Sequence, residues 1–160
     1  MDSALAVVDA ASDIEALYRA DADRLWRAVH AFAGDAEIAS DAVAEAYAQL
    51  LRRGAEVRDP AAWVWRVAFQ ISRGALKVRR LDDADPPPVG DYADAYADHD
   101  LLAAVRRLPE GQRAAVILFY YADLPIREIA DRLGTNSLAV RANLSRGRRR
   151  LRDLLGDHDG

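Results

Sequence analysis

The sequence predicts an all-α protein: two small helical domains joined by an acidic, proline-rich linker. Three observations carry that prediction. Apolar residues recur at helical spacing through most of the chain, and no stretch alternates with period two. Residues 81–100 hold three consecutive prolines and seven aspartates with little apolar periodicity, as a self-repelling connector would. Charge divides unevenly about that segment, with a net of −1 over residues 1–80, −7 over 81–100 and +4 over 101–160. The domains are therefore set at 1–80 and 101–160, with 81–100 as the linker. A chain of 160 residues with 51% hydrophobic content can bury two small cores, and the absence of cysteine excludes disulfide staples and thiolate-zinc sites. The first thirty residues lack a signal-peptide pattern, and no apolar run reaches the roughly 20 residues that cross a bilayer. A cytoplasmic protein without membrane insertion is expected.

In the N-terminal unit, Ile14, Leu17, Tyr18, Leu25, Val29 and Phe32 trace a first helix that ends near Gly34. Asp35 and Glu37 favour the start of a second, whose apolar face is Val43, Ala46, Tyr47, Leu50 and Leu51. Its exposed side carries Asp41 and Glu45 one turn apart, either a solvated pair or a docking surface for a basic partner. Asp59 and Pro60 read as N-cap and first residue of a third helix. On that helix Trp63, Val64, Val67, Ala68, Ile71, Ala75 and Val78 form the predicted core half. The other half carries Trp65, Arg66, Phe69, Gln70, Arg73, Lys77 and Arg80. Exposed rings beside cations make a platform on which unpaired bases stack. The competing reading packs Trp65 and Phe69 against another helix of the same bundle.

After the linker, helices are predicted over 101–108, from Pro109 to about Tyr121, over 125–133 and from about Ser137 to Leu155. Ile126, Ile129, Ala130 and Leu133, then Gly134, Thr135 and Asn136, then the long final helix have the size and punctuation of a helix-turn-helix. The final helix supports it further. Val140, Leu144, Leu151 and Leu155 line one face, while Arg141, Ser145, Arg146, Arg149 and Arg152 occupy the opposite one. Six arginines and no acid lie between Arg141 and Arg152. A merely solvated face would mix signs. Arginine gives paired donors to guanine edges and phosphates, and Thr135, Asn136 and Ser137 can cap the helix or donate to backbone oxygens. Arg141 and Ser145 are assigned near bases, with Arg146, Arg148, Arg149 and Arg150 on phosphates or flanking. Asn143 falls toward the packed side and ranks lower.

These residues resemble an extracytoplasmic-function sigma factor of the sigma-70 family across nearly the whole chain. In the C-terminal unit the matching points are Leu108-Pro109, Gln112-Arg113, Glu128-Ile129-Ala130, Leu133-Gly134, Val140-Arg141, Leu144, Arg146 and Leu151-Arg152. In the N-terminal unit the layout of LYRADADRLWRAVHAF, DAEIASDAVAEAYAQLLRR and DPAAWVWRVAFQISRGALKVRR matches. The resemblance implies a sigma region 2-like bundle and a sigma region 4-like helix-turn-helix. The first would bind the clamp of core RNA polymerase through Asp41 and Glu45 and the melted −10 element through the Trp65 to Arg80 face. The second would bind the −35 element, the linker would thread near the RNA exit path, and an anti-sigma factor is a partner it allows. Ala44, Gln70 and Gly74 depart from the family pattern, which has glutamine, asparagine and aspartate there; −10 reading or melting would differ accordingly.

Such a factor catalyses nothing. His30, His99 and His158 are scattered, and no nucleophile, metal-ligand or phosphate-loop motif suggests an active site, a metal or a cofactor. The runner-up is a stand-alone helix-turn-helix regulator with an N-terminal sensing or dimerisation bundle, which would bind its operator without polymerase. A third reading is a protein that occupies polymerase without initiating.

Overall fold

A computed structural model describes residues 2–81 and 99–156. Most of the expected linker, residues 82–98, lies outside them. The described residues are helical, with no strand among them: α1 (Asp2–Ala33), α2 (Ala36–Arg53), a short 3-10 turn (Gly54–Glu56), α3 (Pro60–Leu81), α4 (His99–Arg106), α5 (Glu110–Val116), α6 (Ile126–Leu133) and α7 (Ser137–Gly156).

Local chemistry sets most of the boundaries. The Asp35 carboxylate accepts from the amides of Glu37 (2.7 Å) and Ile38 (3.1 Å) and so caps α2. Asp59 does the same for Ala62 at the head of α3, where Pro60 has no amide to satisfy. Asn136 caps α7 through Ala139. Gly134, at φ +68°, closes α6: its amide reaches the Asp131 carbonyl, while the Thr135 amide returns to that of Ala130, a Schellman ending. One feature was not expected. The predicted helix from Pro109 to Tyr121 changes pitch at Ile117, and residues Ile117–Tyr121 form a π-helical turn closed by Ala122 N–H to the Ile117 carbonyl.

Helices α1, α2 and α3 form a three-helix bundle around Leu25, Val29, Phe32, Leu50, Val64, Trp65 and Phe69. Helices α5, α6 and α7, with α4 beside α7, enclose Leu118, Ile129, Val140 and Leu144. The two halves touch, and their buried side chains form one contiguous cluster. At the junction Arg113 lies over the Phe32 ring, 4.7 Å from its centroid. Val78, read as core, is instead 59% exposed, whereas the residue after it, Arg79, turns inward to pair with Asp35.

Helix α7 approaches α5 so closely that a Cβ on Gly147 would stand 2.9 Å from Val116 Cγ2. Val116 is β-branched and buried, so it cannot swing aside. Gly147→Ala should therefore cost about 1–3 kcal/mol in chemical denaturation, the range of core overpacking. Trimming Val116 to alanine in the same chain should return part of that loss relative to Val116→Ala alone.

His30 is buried in α1, stacked on Trp26 at 4.9 Å. Burial, and then the nearby Arg106 cation, hold its pKa below the ordinary 6.5. The unfolded chain therefore takes up a proton first on acidification. Stability should fall as pH drops through 6.5 toward the native pKa. The His30→Gln variant should lack that part of the pH slope.

Candidate nucleic-acid interface

Helix α7 presents two unlike faces. Val140, Leu144 and Gly147 are buried against the rest of the C-terminal unit. On the other side Leu138, Arg141, Ser145, Arg146, Arg148, Arg149, Arg150 and Arg152 are exposed. The helix-turn-helix therefore offers its arginines outward from a packed backing. Asn143 lies against Gly111, as its wheel position predicted. Thr135 and Asn136 are exposed and Ser137 half-buried at the mouth of the helix, with the Asn136 oxygen already committed to the Ala139 amide. Arg148 is drawn back: its guanidinium stands 5.5 Å from the Phe119 and Tyr120 rings and donates to the Tyr120 hydroxyl.

Helix α3 corrects the expected aromatic platform. Trp65 and Phe69 are buried, at 0% and 1% exposure, not open to solvent. The Trp65 indole N–H donates to Asp21 of α1 at 2.6 Å, its ring stacks on Phe69, and the Arg132 guanidinium covers it 4.8 Å from the centroid. Phe69 also meets Phe32 at 5.2 Å. The helix is packed by α1 and α2 and, on a further side, by α6, so the half of the wheel left for solvent is smaller than a bundle of three helices implies.

The cations of that face have mixed fates. Gln70 and Lys77 are exposed and Arg73 is half-buried. Arg66 reaches the Asp131 carbonyl at the end of α6, its Nε at 3.1 Å, and Arg80 pairs with Glu110.

Another ring on this helix, assigned by sequence reasoning to the core, packs at the core's edge. Trp63 is half-buried in the first turn of α3 and lines a cleft of about 240 Å³ with Arg53, Arg58 and Arg66. The Arg53 guanidinium lies 5.8 Å from its centroid. The signal for it was positional: a residue four after the Asp59 cap sits beside the preceding loop, at the edge of the bundle.

Asp41 and Glu45 share the exposed side of α2. Glu45 accepts from Gln49 at 3.0 Å and from Arg52 at 3.1 Å, and these bonds, that from Gln49 first, hold its carboxyl below the usual range.

Comparison with known proteins points in one direction. The family model described as Sigma-70, region 4 matches residues 98–151. The chain is 30% identical over 174 residues to the ECF RNA polymerase sigma factor SigE of Mycolicibacterium smegmatis, covering 96% of this chain and 68% of that protein. It is 28% identical over 142 residues to the RNA polymerase sigma factor SigV of Bacillus subtilis, covering 84% and 86%. Its fold is similar to that of CnrH, solved with the cytosolic domain of CnrY, with TM-score 0.72, 21% identity and coverage of 98% and 97%. It is similar also to the sigma factor RpoE solved with the anti-sigma factor NepR from Bartonella quintana, with TM-score 0.71, 18% identity and coverage of 90% and 97%.

The two tryptophans should separate in a denaturant titration. Trp65→Ala should lose about 3–5 kcal/mol of stability, as a fully enclosed aromatic does, whereas Trp63→Ala, partly covered at the core's edge, should lose about 1–2 kcal/mol.

Proposed function

This chain belongs to the extracytoplasmic-function RNA polymerase sigma factors, and from that premise we propose that two separate surfaces, one on α7 and one on α3, divide the reading of its promoter. The protein binds core RNA polymerase and directs promoter recognition and transcription initiation. It belongs to a family of non-enzymatic initiation factors. The stand-alone regulator is not favoured, since the relatives over most of the chain are sigma factors.

The face of α7 is the −35 reader in this proposal. Arg141 and Ser145 lie toward base edges; Arg146 and Arg149, with Thr135, the Asn136 amide and Ser137, hold phosphates. The observation that carries it is the contrast across one helix: Val140, Leu144 and Gly147 buried, six arginines on the remaining surface between residues 141 and 152, and no acid among them.

The −10 surface runs along α3 as Arg66, Gln70, Arg73, Lys77 and Arg80, and begins at the Trp63 cleft. Trp63, with Arg53 and Arg58, takes the stacking role first assigned to the buried Trp65 and Phe69. Asp41 and Glu45 are the polymerase contacts on α2. Residues 1–80 and 101–160 act as the two functional units, with 81–100 as connector. One solved neighbour is held with the anti-sigma factor NepR and another with the cytosolic domain of CnrY, and an anti-sigma partner for this chain would act by covering either face. A factor that works on core polymerase and chromosomal promoters works in the cytoplasm.

The decisive experiment is transcription from fragmented genomic DNA by core polymerase with and without this chain, with transcript 5′ ends mapped. New starts sharing two spaced upstream elements are expected; their absence, with polymerase and template competent, would overturn the assignment of both surfaces. On such a promoter, Arg141→Ala should cost about 1–3 kcal/mol at particular base pairs, while Arg149→Ala should weaken all sequences alike and reduce the salt slope by about 0.9. Competition binding by the holoenzyme across salt concentrations measures both.

A further inference from the structure

Leu138 is an anomaly on the arginine face. It occupies the first turn of α7, it is 77% exposed, and it has the second-largest exposure among the large apolar side chains of the described residues. A single exposed leucine is ordinary on a protein surface. Its position is what sets it apart. At about 100° per residue, Arg141, Ala142, Ser145, Arg149 and Arg152 all fall within about 60° of Leu138 on the wheel, and buried Gly147 lies about 180° away. The leucine therefore stands on the midline of the cationic face, pointing directly away from the packed side.

The cap fixes its direction. Asn136 closes the helix start through the Ala139 amide at 2.9 Å, and the Val140 amide returns to the Asn136 carbonyl at 3.1 Å. Leu138 thus sits in a formed turn rather than a frayed end. In helix-turn-helix docking the N-terminal residues of the second helix go deepest into the major groove. There the one apolar feature that differs between base pairs is the thymine 5-methyl group. A branched alkyl side chain offers that methyl burial and offers the acceptors and donors of other bases nothing.

Building on the −35 assignment above, we infer that Leu138 is a specificity-determining residue that reads a thymine methyl in the major groove. Leu138 and Arg141 are separated by about 4.5 Å along the helix axis, close to one base-pair step. The thymine therefore lies within one or two base pairs of the pair that Arg141 contacts. Apolar contact supplies discrimination at this position, and the surrounding guanidinium groups supply the affinity.

The test uses deoxyuridine, which differs from thymidine only by lacking that methyl. Promoters mapped as described are prepared with each −35 thymine replaced singly, on either strand, and binding by the holoenzyme is measured for the wild type and for Leu138→Ala. One replacement should weaken the wild type about three- to fivefold, the worth of burying a single methyl group. The same replacement should leave Leu138→Ala unchanged, while Leu138→Ala keeps its preference at the pair read by Arg141. Equal wild-type binding to thymine and uracil at every position would overturn the inference and leave the −35 assignment intact, as would a loss that persists in Leu138→Ala. Failure of the wild type to bind any promoter specifically would overturn both.

Discussion

Trp65 stands where α1, α3 and α6 meet, and its burial constrains everything around it. An indole N–H without water must find a partner inside the protein, and Asp21 of α1 provides it at 2.6 Å. One side of the ring system is occupied by Phe69, which in turn touches Phe32. The guanidinium of Arg132 meets its π surface and is held there by the ring quadrupole. A single side chain thereby ties the N-terminal bundle to the first helix of the helix-turn-helix. The next residue reinforces the junction: Arg66 brings a cation to a carbonyl at the C-terminal end of α6, where the helix dipole is negative.

That junction makes the two proposed DNA-facing surfaces unequal. The arginines of α7 other than Arg148 point outward from a packed backing, whereas on α3 Arg66 and Arg80 are held by the Asp131 carbonyl and the Glu110 carboxylate. A guanidinium committed to those groups must exchange them for phosphate. Lys77 and Gln70 are exposed, with no comparable ion pair or carbonyl contact among the described residues. The available part of α3 in this arrangement is therefore its middle exposed strip and the Trp63 cleft.

What was legible in the sequence was mostly local. Asp35, Asp59, Gly34 and Gly134 mark helix ends because capping depends on residues a few positions apart, and the structure uses all four as punctuation. The arginine face of α7 was legible because one side of that helix is buried and the other is not. Family resemblance was legible because its points lie in one register through the C-terminal unit, and the relatives agree with it. The fate of Trp65 and Phe69 was not. A helical wheel assumes one buried face, and α3 has neighbours on more than one side, a fact that belongs to long-range packing. Trp63, read as core, packs against it only in part, because it sits at the bundle's edge. The π turn at Ile117 likewise reflects accommodation between packed elements, since Ile117, Leu118 and Ala122 must all be buried around it.

Every cation on the α7 face is an arginine, and the whole chain has only one lysine, Lys77 on α3. A guanidinium stays protonated throughout the range of cellular pH. It also lacks the primary amine on which acylating enzymes act. The guanidinium charge of this face is therefore fixed against both acidification and lysine acetylation. Control over the proposed contact of this face with DNA cannot run through either of those two routes.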